Sequence, residues 1–448
     1  MIPNGPVWFV NAMNAIRNGV VSKLLQGTEI PRMFRALQSF PRSAISPQDL
    51  PQVILAELSK PEVAGLIRPG MRVAITAGSR GVANVAVITK AIVDFVLSKG
   101  GTPFIVPAMG SHGGATAEGQ LEVLAGYGIT ESSMGCSIQS CMETVLLGQS
   151  ELGKPVFLDR LAYEADGIVV SCRIKPHNAF RGKYESGICK MLAVGLGKQA
   201  GAESVHADGM GKMAENLVAN AKVILAKAPI LFALPCLENA YDETCKIEAI
   251  PKGCILEREP ALLQLAFANM PRLLVEEGDV LVVAEIGKDY SGTGVDPNIT
   301  GTFSTEYASG GVRVQRTCLL DLSDASHGNG LGVGLASAIP KRLFDKLDPE
   351  KMYPNCITST VLKSAMIPMV VATDKEAIQL CVRTLNGVDK TAVRIIRIPN
   401  SLHIDRIMLS EAYYHDVVQG KYDGLTAVDM PRDLEFDGED NLLTPIVE

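Results

Sequence analysis

Short apolar blocks alternate with helix-spaced stretches along the first part of the chain. Met71 to Thr76 (MRVAIT) is a β-branched apolar run that ends in Ala77-Gly78-Ser79-Arg80-Gly81. From Asn84 to Lys99 the apolar spacing turns helical, and Gly100-Gly101 closes it. Pro103 to Pro107 (PFIVP) predicts a second strand, which runs into Met109-Gly110-Ser111-His112-Gly113-Gly114. A second helix follows over Ala117 to Ala125. Strand, Gly-rich loop and helix, twice over, predict a parallel sheet with crossover helices. In such sheets ligands bind outside the carboxyl ends of the strands, where both Gly-rich loops sit. Gly167 to Arg173 (GIVVSCR) reads as another buried strand leading to Lys175-Pro176-His177, and Ala221 to Leu234 as more sheet. Asp279 to Ile286 opens a second region, followed by the loop Ser291 to Gly294 and apolar runs at 312–320, 367–372 and 393–398.

These elements predict an α/β fold. Two α/β domains with mainly parallel sheets flanked by helices would hold an active site in the cleft between them. Residues 1–275 would form the domain carrying cofactor and catalytic histidines, 276–420 the domain closing the cleft, and 421–448 an acidic tail packed on the surface. Pro271 and Glu276-Glu277-Gly278 mark the boundary.

Composition excludes several function classes. Hydrophobic residues are 47% of the 448 and charged residues 20%, which suits folded cores rather than disorder. With 42 basic against 49 acidic residues the net charge is −7, so no basic excess exists to neutralise nucleic-acid phosphates. No apolar run is long enough for a membrane span. The apolar stretch Val7 to Val10 lacks the basic start and cleavage pattern of a signal peptide. Ten scattered cysteines without a CxxC pair read as reduced thiols in a cytoplasmic protein.

The candidate chemistry lies in histidine and lysine. Of six histidines, His112 sits among glycines that let a ligand approach the backbone, and His177 follows a proline at a strand end. His206 comes 16 residues after Lys190, across an apolar segment with several glycines. Histidine suits acid–base chemistry near neutral pH and metal ligation. A buried lysine can serve as nucleophile or covalent anchor, although one that snorkels to the surface fits the same pattern. His327, His403 and His415 read as structural, with His327 in a turn-rich loop. The glycines of 78–81 and 195–197 fit neither the dinucleotide nor the Walker fingerprint.

Gly110-Ser111-His112, His177 in a polar loop, Lys190, and His206, with Arg80 placed 32 residues before His112, resemble the nickel-pincer lactate racemase family. The resemblance implies a racemase or epimerase that inverts the hydroxyl-bearing α-carbon of a 2-hydroxy acid by hydride transfer to its cofactor. It implies a nickel-pincer nucleotide (a pyridinium-3-thioamide-5-thiocarboxylic acid mononucleotide with nickel) covalently attached at Lys190, with His206 completing the nickel coordination. Recombinant protein made without the cofactor-synthesis proteins, the implied partners, would lack it. His112 and His177 would be alternate bases on opposite faces of the substrate. Ser79 and Arg80 would bind the cofactor, and Arg80 suits the substrate carboxylate as well. Asp296, Asn298 and Thr300 would lie on the substrate side.

Departures from the family pattern concern the substrate. Ala77 and Ser79 stand where the family has Asp and Thr, and the loop from His177 to Lys190 is about three residues longer than the family's. Thr300, Gly301 and Ser304 replace a Tyr-Gln and a Lys, and the only tryptophan is Trp8. These changes suggest a longer or more polar hydroxy acid than lactate. Two alternatives stay open at this point. One is a zinc-dependent lyase or hydrolase with His112, His177 and His206 as ligands. The other is a non-catalytic two-lobed binding protein for small organic acids.

Overall fold

The computed structural model describes residues 19–79 and 81–447. They divide into two compact units: Pro41–Met270, and the described residues up to Phe40 together with those from Pro271 onward. The first strand of the chain, β1 (Met33–Gln38), belongs to the second of these.

The unit Pro41–Met270 is built on β2 (Arg72–Ala77), β3 (Thr102–Pro107), β4 (Ser137–Ile138), a separate hairpin of β5 (Thr144–Gln149) and β6 (Pro155–Asp159), then β7 (Gly167–Arg173), β8 (Ile230–Glu238), β9 (Thr244–Ile247) and β10 (Ile250–Pro251). The main sheet runs β10-β8-β7-β2-β3-β4, with β9 also on β8. Pairings β8–β7, β7–β2, β2–β3 and β3–β4 are parallel. Strand order grows in one direction from β2 and then reverses to β7, so a topological switch point lies between β2 and β7.

Helices α1 (Val85–Ser98), α2 (Ala117–Gly126), α3 (Lys198–His206), α4 (Met213–Lys227) and α5 (Ile255–Asn269) flank this sheet. Its strands are apolar at nearly every position because both faces are covered. Val73, Ile75, Ile105, Val169 and Phe232 pack on one face with Ile88 and Ile92 of α1. Ala74, Phe104, Val106, Ile168 and Ala233 pack on the other with Ile224 of α4 and Leu262 of α5. The expected sheet at Ala221–Leu234 is corrected: helix α4 runs to Lys227 and the strand starts at Ile230. A continuous apolar run does not distinguish a buried helix from a buried strand, and Pro229 is the local break.

The second unit holds β11 (Val280–Val283), β12 (Arg316–Leu319), β13 (Ala338–Pro340), β14 (Met369–Val371), helix α6 (Asp374–Arg383), β15 (Ile395–Ile398), β16 (Arg406–Ser410) and β17 (Leu425–Ala427). Its sheet order is β14-β13-β12-β11-β15-β16-β1-β17. The first five are parallel; β16, β1 and β17 are added antiparallel. Two expected boundaries change here. Residues 33–38 leave the domain expected over 1–275, because β1 is hydrogen-bonded between β16 and β17. Residues 421–448 are more than a surface tail: they supply β17, the buried Ile446, and the Thr444 carbonyl that accepts from the buried Arg397 at 2.8 Å. Among the described residues no helix is long and apolar enough to cross a membrane.

Phe34 on β1 has no exposure and meets Tyr414 edge-on at 5.1 Å. Phe34→Ala is expected to destabilise this unit by about 3–5 kcal/mol. Hydrogen exchange that accelerates in β16 and β17 but not in β2 or β3 checks the assignment of β1.

Candidate functional site

Three loops leave the carboxyl ends of β2, β3 and β7 around the switch point, and the segment carrying Lys190 lies against two of them. After β2 comes Ser79, whose Oγ is 2.5 Å from His112 Nδ1 and whose carbonyl accepts from Tyr127 Oη at 3.1 Å. After β3, Gly110, Gly113 and Gly114 take left-handed φ values of 61°, 67° and 66°, and a Cβ on Gly113 would stand 2.6 Å from the backbone of Gly119. Only glycine meets both conditions, and the resulting tight loop presents His112.

After β7, the loop 175–186 is closed by backbone pairing of Lys175 with Ser186. The carboxylate of Glu185 holds the loop from inside, accepting from His177 N at 2.6 Å and Gly182 N at 3.1 Å. Arg181 donates to the His177 carbonyl at 2.7 Å and pairs with Glu185 at 3.5 Å. The His177 ring stacks on Phe180 with centroids 4.2 Å apart. Ala179 N donates to His177 Nδ1 at 3.1 Å. A backbone N–H can only donate, so the neutral ring carries its proton on Nε2.

Lys190 ends a helical turn, Ile188–Lys190, that continues as a wide turn over Met191–Gly195. Glu259 of α5 accepts from Cys189 N at 3.0 Å and fixes the start of the turn. A Cβ on Gly187 would lie 2.2 Å from Glu259 Oε1. One on Gly195 would lie 2.8 Å from the Ala108 carbonyl, and one on Gly78 3.3 Å from the Met191 methyl. His206 closes α3, and its Nδ1 is 2.6 Å from the Ala202 carbonyl. A carbonyl accepts only, so Nδ1 bears the proton and Nε2 the lone pair.

Electrostatics join three of these groups. Burial pushes His177 well below its usual 6.5, and Lys190, Lys175, His206 and Arg181 add to the depression. Burial also lowers His206; the Ala202 carbonyl opposes this and Lys190 reinforces it. His177, Lys190 and His206 therefore share one partly buried, positive environment in which both imidazoles stay neutral. Burial raises Glu259 to about 6. The Cys189 thiol, next to Lys190, is pushed far up by burial and by Glu259, so it is no nucleophile.

Ser79, His112, His177, Lys190 and His206 thus belong to one unit and one end of its sheet. Arg80 lies outside the described residues. Asp296, Asn298 and Thr300 are in the other unit, where they hold one another. Asp296 caps the turn Pro297–Thr300, accepting from Asn298 N at 2.9 Å and Asn298 Nδ2 at 2.8 Å, and Thr300 donates back to the Asp296 carbonyl at 3.3 Å. His327, His403 and His415 are exposed in that unit. Among the described residues no three His, Cys, Asp or Glu side chains form a set able to hold a metal ion, so the three-histidine zinc site has no geometric basis. Sequence reasoning missed Glu185 and Glu259. The loop 175–186 is polar and α5 carries Glu257-Arg258-Glu259 near its start, so nothing local marks these two acids as the buried ones.

Residues 38–216 match the family model described as the lactate racemase N-terminal domain. This segment is lactate racemase-like, and all five side chains gathered above fall inside it. Among solved structures, the lactate racemase apoprotein from Thermoanaerobacterium thermosaccharolyticum aligns over 83% of this chain and 99% of that one, at 13% identity and a TM-score of 0.49. No curated protein matches the chain.

The depressed histidines give a pH dependence. In the unfolded chain they bind protons near 6.5; in the folded chain they resist, so folded stability falls as pH drops below that value. Glu259 and Asp242, both raised by burial to about 6, act in the opposite sense. The difference between wild type and His177→Gln isolates the histidine. The variant should lose melting temperature less steeply than wild type on acidification below 6.5.

Proposed function

We propose that this protein is an isomerase that inverts the hydroxyl-bearing α-carbon of a 2-hydroxy acid, using a nickel-pincer nucleotide tethered to Lys190. The observation that carries the reading is the meeting of Lys190, His206 and His177 at the switch point of a lactate racemase-type domain. The residues fit such a group. Lys190 offers the amine for covalent attachment, and His206 is held in the tautomer whose Nε2 lone pair can bind a metal. A metal that brings most of its ligands in its own cofactor needs only one from the chain. When bound, the cofactor supplies the hydride acceptor that no side chain provides.

The chain manages the proton of the substrate hydroxyl. With Nδ1–H donated to Ser79 Oγ, His112 has a lone pair on Nε2 that can take that proton. His177 presents Nε2–H and donates a hydrogen bond to the substrate oxygen when it faces that side. Lys175 and Arg181 keep the local potential positive, which suits a carboxylate. The proposal extends to a hydroxy acid longer or more polar than lactate, and to a cytoplasmic enzyme served by cofactor-synthesis proteins.

The test is peptide mass spectrometry and metal analysis of protein made together with those synthesis proteins. A mass increment on the Lys190 peptide with nickel bound is expected, and should vanish in Lys190→Ala. An unmodified Lys190 with stoichiometric zinc would overturn the reading. In loaded enzyme, His112→Gln and His177→Gln should each lower turnover by ~10²–10⁴-fold, measured as loss of α-configuration of the hydroxy acid.

A further inference from the structure

Lys198 is buried completely at the start of α3, with a left-handed φ of 54°. That conformation is uncommon outside glycine, and a fully buried ammonium is uncommon too; the surroundings must hold both in place. Its Nζ donates to the Pro107 carbonyl at the end of β3 at 2.6 Å and to Gln120 Oε1 at 3.0 Å. It also lies 3.1 Å from Asp159 Oδ2, and neither partner of that pair has any exposure. Gln120, equally buried on α2, turns its amide the other way. Its Nε2 donates to the Gly110 carbonyl at 2.9 Å and to the His112 carbonyl at 3.3 Å. Asp159 is fixed in turn: it accepts from Ala162 N at 2.8 Å, and its own N donates to the Leu196 carbonyl at 2.7 Å.

The chain of contacts therefore runs from the segment after Lys190, through Asp159, Lys198 and Gln120, to the backbone of His112. We propose that Lys198 and Gln120 are positioning residues for His112, registering its loop against the Lys190 segment. The inference rests on the reading of His112 as the group that exchanges the substrate proton. Lys198 donates to the acceptor oxygen of Gln120, which fixes the amide orientation, so only the nitrogen can face the loop. Gly110 and Gly113 contribute no side chains to brace this loop, and the Gln120 amide ties down the carbonyls of Gly110 and His112.

Gln120→Glu keeps an acceptor for Lys198 and removes both donors to the loop; Gln120→Leu removes both functions. The readout is carbethoxylation by diethyl pyrocarbonate in cofactor-free protein, followed site by site by peptide mass spectrometry. The rate at His112 is expected to rise several-fold in both variants, while His177 and His206 react as in wild type. Unchanged reactivity at His112 overturns the proposal. So does a joint rise at all three histidines, which would make the network a general support of the fold. In loaded enzyme the variants should lower kcat more than they change KM. A wild type that is loaded yet leaves 2-hydroxy acids unchanged would sink the functional reading while the reactivity result stands on its own.

Discussion

The site depends on one packing constraint, the close approach of the segment following Lys190 to the ends of β2 and β3. The wide turn Met191–Gly195 leaves no room for a side chain at Gly195 against Ala108, and little at Gly78 against Met191. Gly110 N reaches across to the Gly195 carbonyl at 3.2 Å. Interiors packed this tightly do not deform continuously, so a shift of the Lys190 segment must move the strand-end loops with it. The lysine and the histidines gathered at the switch point thereby share one frame, although they come from four separate stretches of sequence.

Buried acids hold that frame where water cannot. Glu185 satisfies the His177 loop from within, Glu259 the start of the Lys190 turn, and Asp159 the ammonium behind the His112 loop. Each is paired with backbone donors or a cation, as burial of a carboxylate requires. The groups facing the site are by contrast cationic or neutral. Burial keeps His177 and His206 uncharged, and the charge of Lys190 reinforces it.

The fold of the first unit was legible because β2–α1 and β3–α2 switch cleanly between two hydrophobic periods, with glycine at each change. The placing of His112 and His177 was legible for the same reason, since each follows a strand; Lys190 and His206 joined them through the resemblance. The rest depended on contacts distant in sequence. Nothing local in Met33–Gln38 says that it will pair with Arg406–Ser410, hundreds of residues away. Ala221–Leu234 gave no period by which its helical and extended parts could be separated. Asp296, Asn298 and Thr300 match a spacing, yet short polar side chains at that spacing also cap a helical turn, and that is the contact they make. Lys198 carries no local mark of its burial, which comes from Asp159 and Gln120, dozens of residues away.

On the proposed function, the backbone N–H of Ala179 on His177 has a kinetic meaning. His112 Nδ1 faces a hydroxyl, which can donate or accept, so this contact leaves the tautomer open; His177 Nδ1 faces a group that only donates. The two histidines are thus unequal before any substrate arrives. Between mirror-image substrates the equilibrium constant is one, and the Haldane relation then forces kcat/KM to be the same in both directions. The asymmetry cannot appear as a preferred direction of conversion. On the proposed reading it would show instead as matched differences in kcat and KM between the two enantiomers.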